Sequence, residues 1–304
     1  MEAKGPLQKV AEHIVSDNNT SRLADYLLGI FHQLPTKNSI QKAIKAGRIR
    51  VNDQSCSTAK IPSSGDRIGY FSTKSRVKPY PLEIEIIFED EHFLIANKPP
   101  GLPTSGNYFR TLEAALAYSH PLNFSETNLY SPRPVHRLDS LTSGLVVAAK
   151  SSKSLFQLGQ LFEKGKVQKT YNALVMGRTP DEGHWKSVIS GKPAITTFKK
   201  IQEVRSLKNE YLTLLELLPK TGRTHQLRIH CSEAGFPIYG DPIYAEQTIK
   251  KKGLFLSAVR LVFAHPVTLA EMEVSTKLPS KFVNRMKNEQ NRWERNNGNS
   301  KSNS

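Results

Sequence analysis

Between Leu82 and Pro219 the sequence shows one β-strand pattern after another and only two helical stretches, and this restricts the fold more than any other feature. The first strand pattern, LEIEIIFED, alternates apolar and acidic residues with the period of two that a half-buried strand shows. Further strand patterns are HFLIAN, GLVVAAK, VQKTYNALVMG, ITTFKKIQEV and YLTLLELLP, and the helical stretches are TLEAALAYS and SSKSLFQLGQLFEKG. Many strands with few intervening helices predict an α+β fold with a mainly antiparallel mixed sheet, rather than a doubly wound parallel one.

The N-terminal part of the chain is strongly basic. Residues 22–78 hold eleven Lys or Arg residues and three Asp residues, so half of the formal net charge of +16 lies there. A basic balance of this size favours a polyanionic partner, because Lys and Arg that neutralise phosphates release condensed counterions. Apolar residues at helical spacing in 23–31 and 40–44 predict two short helices, and RIRVNDQ and SSGDRIGYF predict strands with turns. The sequence therefore predicts a small, basic α+β unit.

These patterns together predict the domain organisation. Residues 1–16 form an N-terminal tail, 17–72 the small unit, 73–81 a linker containing Lys and Pro, and 82–279 the larger domain. Residues 280–304 are polar and almost free of aliphatic side chains, which predicts a disordered basic tail. No apolar run reaches about 18 residues and the N-terminus has no stretch typical of a signal peptide, so we expect a cytoplasmic protein without a membrane segment. No heptad pattern occurs, and we expect a monomer.

The segment RPVHRLDSLTSGLVVAAK carries the first group of side chains with chemical potential. It places His136, Arg137 and Asp139 in a loop directly before an apolar strand, where side chains are held at the edge of a rigid sheet. Taken alone, an Asp beside an Arg in a loop is more simply a surface ion pair. A functional interpretation of this segment depends on the second segment, which is described next.

The segment LPKTGRTHQLRIHCSEAGFPIYGDPIY leaves a strand, turns, and enters a short helix. Thr224 is predicted as the N-cap of this helix, and Gly235 lies beyond its end. Arg223 in the turn and Arg228 in the helix offer guanidinium groups, the usual partners of phosphates and carboxylates.

A metal site is not predicted. His225 and His230 are five residues apart rather than at the i, i+4 spacing that shares one helix face, and no acidic ligand completes a set with Cys231. Cys56, the other cysteine, lies far away in the sequence, so no disulfide framework is indicated either.

Together these segments resemble the RluA-type pseudouridine synthases. FEDEHFLIANKPPGL is similar to the opening motif of that family, VHRLDSLTSGLVVAAKS to the motif holding its catalytic aspartate, VQKTYNALVMG to the next, and TGRTHQLRIHCSEAGFPIYGDPIY to the one that lines the active site. LSAVRLVFAHPVT resembles the closing element, so the resemblance covers about Leu82 to Leu278. In the small unit, SIQKAIKAGRIRVNDQ followed by SGDRI resembles the alpha-L RNA-binding module named after ribosomal protein S-four.

The resemblance implies a pseudouridine synthase catalytic domain with Asp139 as its essential carboxylate. The carboxylate attacks the sugar or the ring, or otherwise assists glycosidic cleavage, while the uracil turns and rejoins through carbon 5. No cofactor is needed. Arg228, two places after the glutamine, would keep the carboxylate ionised. Tyr171 would stack on the target base, although a strand tyrosine packed in the core is the simpler alternative.

RNA is the implied partner, with ribosomal RNA of the large subunit favoured and transfer RNA as the alternative. Arg137 would hold the RNA near a flipped nucleotide, and Arg223 would contact a phosphate. In the small module, a solvated basic face is the alternative to RNA contact by four residues that the resemblance points to: Lys42, Lys45, Arg48 and Arg50.

Some positions depart from the family pattern, and other functions remain to be weighed. Ser140 and Leu141 stand where family members usually carry a charged or polar pair, while GLPTSG and Ser257 lack histidines that are frequent there. These departures leave the choice of substrate open. A ribosome-assembly factor on the same scaffold is the rival hypothesis. A metal-dependent nuclease or deaminase would need clustered carboxylates or HxE with CxxC, which the sequence lacks.

Overall fold

The computed structural model describes residues 7–17, 20–31, 34, 36–73, 77–122, 129–245 and 253–298. The chain divides into two compact units, Met1–Lys78 and Pro79–Ser304. The division falls inside residues 73–81, the stretch whose composition predicts a linker. Within the described residues, no helix is both long enough and apolar enough to cross a bilayer.

The N-terminal unit is a four-stranded antiparallel sheet packed against two short helices, in the strand order β1-β4-β2-β3. Its helix α2 begins at a capping box in which Thr36 and Ser39 each accept from the other's backbone N–H. Asn52 and Asp53 take positive φ angles in the predicted turn between β2 and β3. The elements are β1 (Leu7–Ile14), α1 (Leu23–Tyr26), α2 (Lys37–Lys45), β2 (Ile49–Val51), β3 (Gln54–Ser55) and β4 (Arg67–Thr73).

The predicted N-terminal tail was wrong for residues 7–14, which form β1 and pair with β4 along its length. The strand lies at the edge of the sheet, so most of its described side chains are half-buried or exposed and its apolar residues do not alternate cleanly. A bulge between Lys9 and Ala11 shifts the alternation further. The sequence pattern of a buried strand is therefore missing, although the backbone is paired.

The C-terminal unit confirms the predicted α+β fold with a mainly antiparallel mixed sheet. Its described part contains ten strands, eight of them in the order β10-β11-β12-β9-β13-β8-β6-β5, with β14 beside β13 and β7 beside β8. The strands are β5 (Ile86–Glu89), β6 (Phe93–Lys98), β7 (Arg133–Pro134), β8 (Ser143–Ala149), β9 (Gln168–Met176), β10 (Glu182–Ile189), β11 (Lys192–Ser206), β12 (Glu210–Pro219), β13 (Leu256–Ala264) and β14 (Glu271–Ser275). The helices are α3 (Leu112–Ser119), α4 (Ser152–Glu163), α5 (Gln226–Glu233) and α6 (Ser280–Gly298).

The central strands β6 and β8 are buried on both faces, which explains their continuous apolar sequences. Alternate residues of β6 belong to two different cores: Leu94 packs in a cluster with α3, and Phe93 packs in a cluster with α4 residues. Every residue of β8 is buried. The loop that precedes β8 is therefore attached to a strand that is buried along its whole length.

A short parallel seam joins β8 to β13, and it is the only parallel pairing in the described part of the sheet. Two residue pairs form it, Ser143 with Ser257 and Ala258 with Gly144. Gly144 has a φ of 112°, and a Cβ there would collide with the backbone of Ala258, so only glycine fits. The Ser143 hydroxyl donates to the Ser257 hydroxyl at 3.1 Å across the seam.

The predicted disordered tail was also wrong for residues 280–298, which form α6. Phe282 and Met286, four residues apart, are buried in the core of the β9–β12 region. Ser206 Oγ donates to Glu289 at 2.8 Å, and the Arg205 N–H donates to Gln290 at 3.0 Å. Phe282, Met286 and Glu289 recur at helical spacing on the buried face, but the low apolar content of the helix is that of a disordered segment, which explains the wrong prediction. Residues 299–304 lie outside the described residues.

Candidate active site

Asp139 lies in the loop between β7 and β8, and the loop is fastened through its backbone. The Gly101 N–H donates to the Ser140 carbonyl at 2.7 Å. Thr104 Oγ1 donates to the Leu138 carbonyl at 3.0 Å and accepts from the Leu138 N–H at 3.1 Å. The segment after β6 thus holds both neighbours of Asp139, which fixes the direction of its side chain.

Lys98, at the end of β6, is buried beneath the same loop. Its ammonium donates to three carbonyl oxygens, those of Pro99 at 3.0 Å, Leu102 at 2.8 Å and Ser140 at 3.1 Å. Burial lowers the pKa of Lys98 to about 8, against the opposing charge of Asp139. At neutral pH the buried cation therefore ties the Asp139 loop to the segment 98–102.

The low pKa of Lys98 predicts a stability that rises with pH. The unfolded chain keeps this proton to about pH 10.5, whereas the folded protein releases it near pH 8. Between these values the unfolded state binds more protons, so the free energy of unfolding should increase by about 3 kcal/mol from this group. Urea unfolding of wild type and Lys98→Met between pH 7 and 10 would show this as a rise present in wild type and absent from the variant. Parallel pH dependences would contradict the assignment.

Arg228, near the start of α5, is the cation closest to Asp139. Its guanidinium Nη1 lies 3.6 Å from Asp139 Oδ2. Nε and Nη2 donate to the two oxygens of the fully buried Asp241, at 2.7 and 2.8 Å. Burial would lower the pKa of Arg228, but the hydrogen bonds and the charge of Asp241 raise it, so the guanidinium stays charged. Two of its nitrogens are held by Asp241, and a third faces Asp139.

Asp241 is a site residue that the sequence did not predict. Its Oδ1 also accepts the backbone N–H groups of Ile243 at 2.9 Å and Tyr244 at 3.1 Å. Burial raises the pKa of this carboxyl, but the bonds from Arg228 and the backbone outweigh burial and lower it. The sequence does contain a clue to Asp241. A buried arginine needs an acidic partner, and Asp241 lies in the same motif as Arg228.

His225 takes the place that the sequence assigned to Thr224. It precedes α5 with a φ of 55°, and the helix has no side-chain N-cap, so the predicted cap at Thr224 was wrong. Its Nδ1 contacts the Tyr244 hydroxyl at 3.0 Å, and its Nε2 lies 3.7 Å from Asp139 Oδ2. His225 therefore combines a sparsely populated left-handed backbone with an imidazole that lies beside Asp139. Gly235 ends the helix with a φ of 84°, as predicted.

The turn before α5 is built around Gln226. Its Oε1 accepts from the Thr221 hydroxyl at 2.7 Å and from the Arg223 N–H at 3.0 Å, while Nε2 donates to the Ile195 carbonyl and to Thr196 Oγ1, both at 3.0 Å. The glutamine therefore locks the turn to β11. Arg223 Nε donates to the Pro193 carbonyl at 3.2 Å, which leaves the rest of its guanidinium free to face the cavity.

Tyr171 approaches the site from β9, where it pairs with Leu217 on one side and Ala258 on the other. Its ring is half-buried against two apolar clusters. Burial first, and then the charge of Asp139, raise the pKa of Tyr171 well above its usual range, so the phenol keeps its proton at neutral pH. The alternative of a core tyrosine thus accounts for part of its environment, while the remainder faces a cavity that Asp139 also lines.

This cavity has a volume of about 450 Å³, and most of the predicted site residues line it. The residues that matter for its chemistry are His136, Arg137, Asp139, Lys169, Tyr171, Arg223 and Arg228. His136 Nε2 accepts the Val147 N–H at 3.1 Å, and its ring stacks on Phe162 at 4.1 Å. Burial, with the nearby charge of Lys169, lowers the pKa of His136 to about 3, so the imidazole is neutral.

The predicted RNA-binding residues of the N-terminal unit lie on α2 and in the segment that follows it. Lys42 and Lys45 are exposed in the last turn of α2, and Arg48 and Arg50 are half-buried. The Arg50 guanidinium lies 4.7 Å from the centre of the Phe71 ring. The unit thus presents cations on its own surface, and one of them, Arg50, packs on the buried ring of Phe71.

Side chains typical of a metal site do not cluster in the described residues, where no group of three or more His, Cys, Asp or Glu could hold an ion. His225 contacts Tyr244, whereas His230 contacts Thr196 Oγ1 at 2.9 Å. The two histidines that were weighed as metal ligands, His225 and His230, therefore have different hydrogen-bond partners.

Comparison with known proteins gives a single family. A model of the RNA pseudouridylate synthase family matches residues 92–233. The chain is 30% identical over 271 residues to ribosomal large subunit pseudouridine synthase D of Zymomonas mobilis, which covers 80% of this chain and 81% of that protein. It is 34% identical over 256 residues to the uncharacterized RNA pseudouridine synthase YhcT of Bacillus subtilis, covering 77% and 82%. Among solved structures, human RNA pseudouridylate synthase domain containing 1 matches with a TM-score of 0.55 and 25% identity, over 69% of this chain and 89% of that one.

Proposed function

Because the chain belongs to the RNA pseudouridine synthase family, we propose that it isomerises uridine to pseudouridine in ribosomal RNA of the large subunit, with Asp139 as the nucleophile. One observation carries the assignment of Asp139. Its carboxylate lies 3.6 Å from a buried, permanently charged Arg228 and faces a cavity shared with Tyr171. The guanidinium attracts and orients the carboxylate at the cavity, where the carboxylate can act as a nucleophile.

The reaction exchanges one bond of the nucleotide for another. The glycosidic bond between C1′ and N1 breaks, the uracil turns within the cavity, and a bond between C1′ and C5 forms, while C5 loses a proton and N1 carries one in the product. Asp139 acts at the sugar or at the ring to permit the cleavage. No electron is gained or lost, so these side chains suffice for the chemistry.

The other cavity residues bind and orient the nucleotide. Because the raised pKa keeps Tyr171 protonated, its hydroxyl is a hydrogen-bond donor at neutral pH and its ring is a surface for the base. A cavity of about 450 Å³ lies in the range of small-ligand sites and suits one nucleotide turned out of its helix. Arg137 contacts the RNA beside the flipped uridine in this proposal, and its exposed position at the cavity supports that role.

Ribosomal RNA is the substrate that the relatives favour, since several carry the name of large-subunit pseudouridine synthases. A basic N-terminal unit agrees with a large folded RNA, because such a unit adds phosphate contacts away from the active site. The proposal includes a cytoplasmic location and a monomer in solution. Transfer RNA is the alternative substrate.

A pseudouridine-specific chemical map of total cellular RNA tests the proposal. RNA from cells that lack the gene would be compared with RNA from the same cells carrying wild type or Asp139→Ala. We expect one or more sites in large-subunit RNA to disappear and to return only with wild type. If the sites that disappear lie in transfer RNA, transfer RNA is the substrate instead. If the map is unchanged but ribosome assembly is altered, the result supports the hypothesis of a ribosome-assembly factor.

The role of the N-terminal unit gives a further prediction. Replacing Lys42 and Lys45 by Gln should weaken binding to a large-subunit RNA transcript and reduce the slope of log Kd against log salt by about 1.5, since each lost phosphate contact removes about 0.7–0.9. Fluorescence anisotropy between 50 and 300 mM KCl measures both. A matched variant with Lys186→Gln and Lys199→Gln, two exposed lysines of β10 and β11 outside the cavity lining, removes the same charge elsewhere. Equal slopes for the two variants would contradict a specific role for α2.

A further inference from the structure

Lys169 is a cation in the cavity whose role neither the motifs nor the chemistry above explains. It lies two residues before Tyr171 on β9, so both side chains project from the same face of the strand into the cavity. Its amino group lies beside the turn before α5, 3.7 Å from the position that a Cβ on Gly222 would occupy. Lys169 therefore lies at the part of the cavity that Tyr171 and Arg223 also line.

The ammonium of Lys169 lacks a counterion among the residues that the structure describes. No hydrogen bond or ion pair joins it to them, and burial alone lowers the pKa of Lys169. Asp139 is approached by Arg228 and His225, and Asp241 is bound by Arg228. A half-buried charge without a partner costs free energy, which a ligand of opposite charge would recover on binding.

The surroundings of Lys169 define the kind of group that it would take. Arg223 follows Gly222 in the same turn, and His136, which feels the charge of Lys169, is neutral. The acidic residues that line the cavity are Asp139 and the exposed Glu163. An anion with several acceptor oxygens, able to face both an ammonium and a guanidinium, fits this part of the cavity best.

We propose that Lys169, together with Arg223, binds a phosphate group that flanks the target uridine, and so acts as a positioning residue for the nucleotide whose base rests on Tyr171. The inference rests on the proposed function, because it needs an RNA strand in the cavity. Lys169 holds the backbone on one side of the nucleotide, and Tyr171 and Asp139 meet the base and the sugar. The position of the sugar relative to Asp139 is then set from two directions.

A thermodynamic cycle between Lys169 and single phosphates tests this. The substrate is a synthetic RNA stem-loop with a uridine that wild type isomerises, and each phosphate near that uridine is replaced in turn by an uncharged methylphosphonate. We expect Lys169→Gln to lower kcat/KM about tenfold to a hundredfold on the unmodified RNA. One methylphosphonate should lower wild-type kcat/KM by a similar factor, and the same substitution should cost Lys169→Gln nothing more.

Matched variants separate binding from folding. Lys169→Arg should retain part of the activity because it keeps the charge, and Lys199→Gln, exposed on β11 and outside the cavity lining, should behave as wild type. Lys169→Met, which keeps the apolar stem, replaces Lys169→Gln in the cycle if the latter does not fold. The inference would be overturned if the losses in kcat/KM from Lys169→Gln and from the methylphosphonate multiply at every phosphate tested. It would also be overturned if Lys169→Gln and Lys169→Met keep the kcat/KM of wild type. If Lys169 contacts a uracil carbonyl oxygen instead of a phosphate, Lys169→Gln should lower kcat, and no methylphosphonate should reproduce that loss in wild type.

The failure of this inference is distinct from that of the proposed function. If wild type isomerises the stem-loop and the losses multiply, only the role of Lys169 falls. If wild type forms no pseudouridine in any RNA tested, the proposed function falls and takes this inference with it.

Discussion

Asp139→Asn should lower the rate of pseudouridine formation by about 10⁴-fold or more while RNA affinity stays within about twofold of wild type. The asparagine keeps the shape of the side chain but has no negative charge, so it cannot act as a nucleophile. Binding is spread over many cations, most of them far from this loop in the sequence. Single-turnover formation of pseudouridine and anisotropy titrations with the same RNA would measure the two effects separately.

Ser140→Ala is the matched control for Asp139. Ser140 is the next residue, its side chain is exposed, and its contribution to the loop is its carbonyl, which accepts from Gly101 and Lys98. The variant should therefore retain wild-type activity. A comparable loss of RNA affinity in Asp139→Asn would assign a binding role to the carboxylate instead of a chemical one.

Asp241→Ala should destabilise the protein by about 3–5 kcal/mol, because it leaves the buried guanidinium of Arg228 without its partner. The released Arg228 should also lose its direction towards Asp139, so kcat should fall in the fraction that remains folded. Urea unfolding gives the loss of stability. The rate at a temperature where both proteins are folded gives the effect on catalysis.

The exposed pair of Arg260 and Glu273 provides the control. It has the same two-bond geometry, at 2.6 and 2.7 Å, but lies on the surface between β13 and β14. Glu273→Ala should leave stability and kcat close to wild type, since water replaces the lost partner. If Asp241→Ala and Glu273→Ala lower the free energy of unfolding by the same amount, burial is not what makes the Arg228–Asp241 pair important.

The strand sequence and the local motifs predicted the sheet and several of the residues that line the candidate site. The apolar runs of β6 and β8 are visible because both faces of these strands are buried, and motif resemblance identified Asp139, Tyr171 and Arg228 as candidate residues, which the structure brings to one cavity. What brings them together is long-range. Lys98 reaches Ser140 across 42 residues of sequence, and no local pattern announces such a contact.

The elements that the sequence missed share a physical cause. Both contribute few apolar side chains to a core: β1 lies at a sheet edge, and α6 buries only a few residues, at helical spacing but within a largely polar sequence. Asp241 was missed for a different reason. A carboxylate in a turn is common, and only the burial of Arg228 shows that this one is the partner of a buried cation.

The seam between β8 and β13 places the two halves of the candidate active site on different parts of the sheet. Asp139 precedes β8, whereas Tyr171 belongs to the strands on the far side of the seam, and two residue pairs join the halves there. Every other pairing along the main order of the strands involves three pairs or more. Side chains nevertheless bridge this joint, because Tyr171 and Ala258 pack in one cluster with Val146, and Leu261 and Phe263 pack in another with Phe93. The two sides of the seam share their cores, so we expect the domain to unfold as one cooperative unit and to lose activity at the temperature at which it melts.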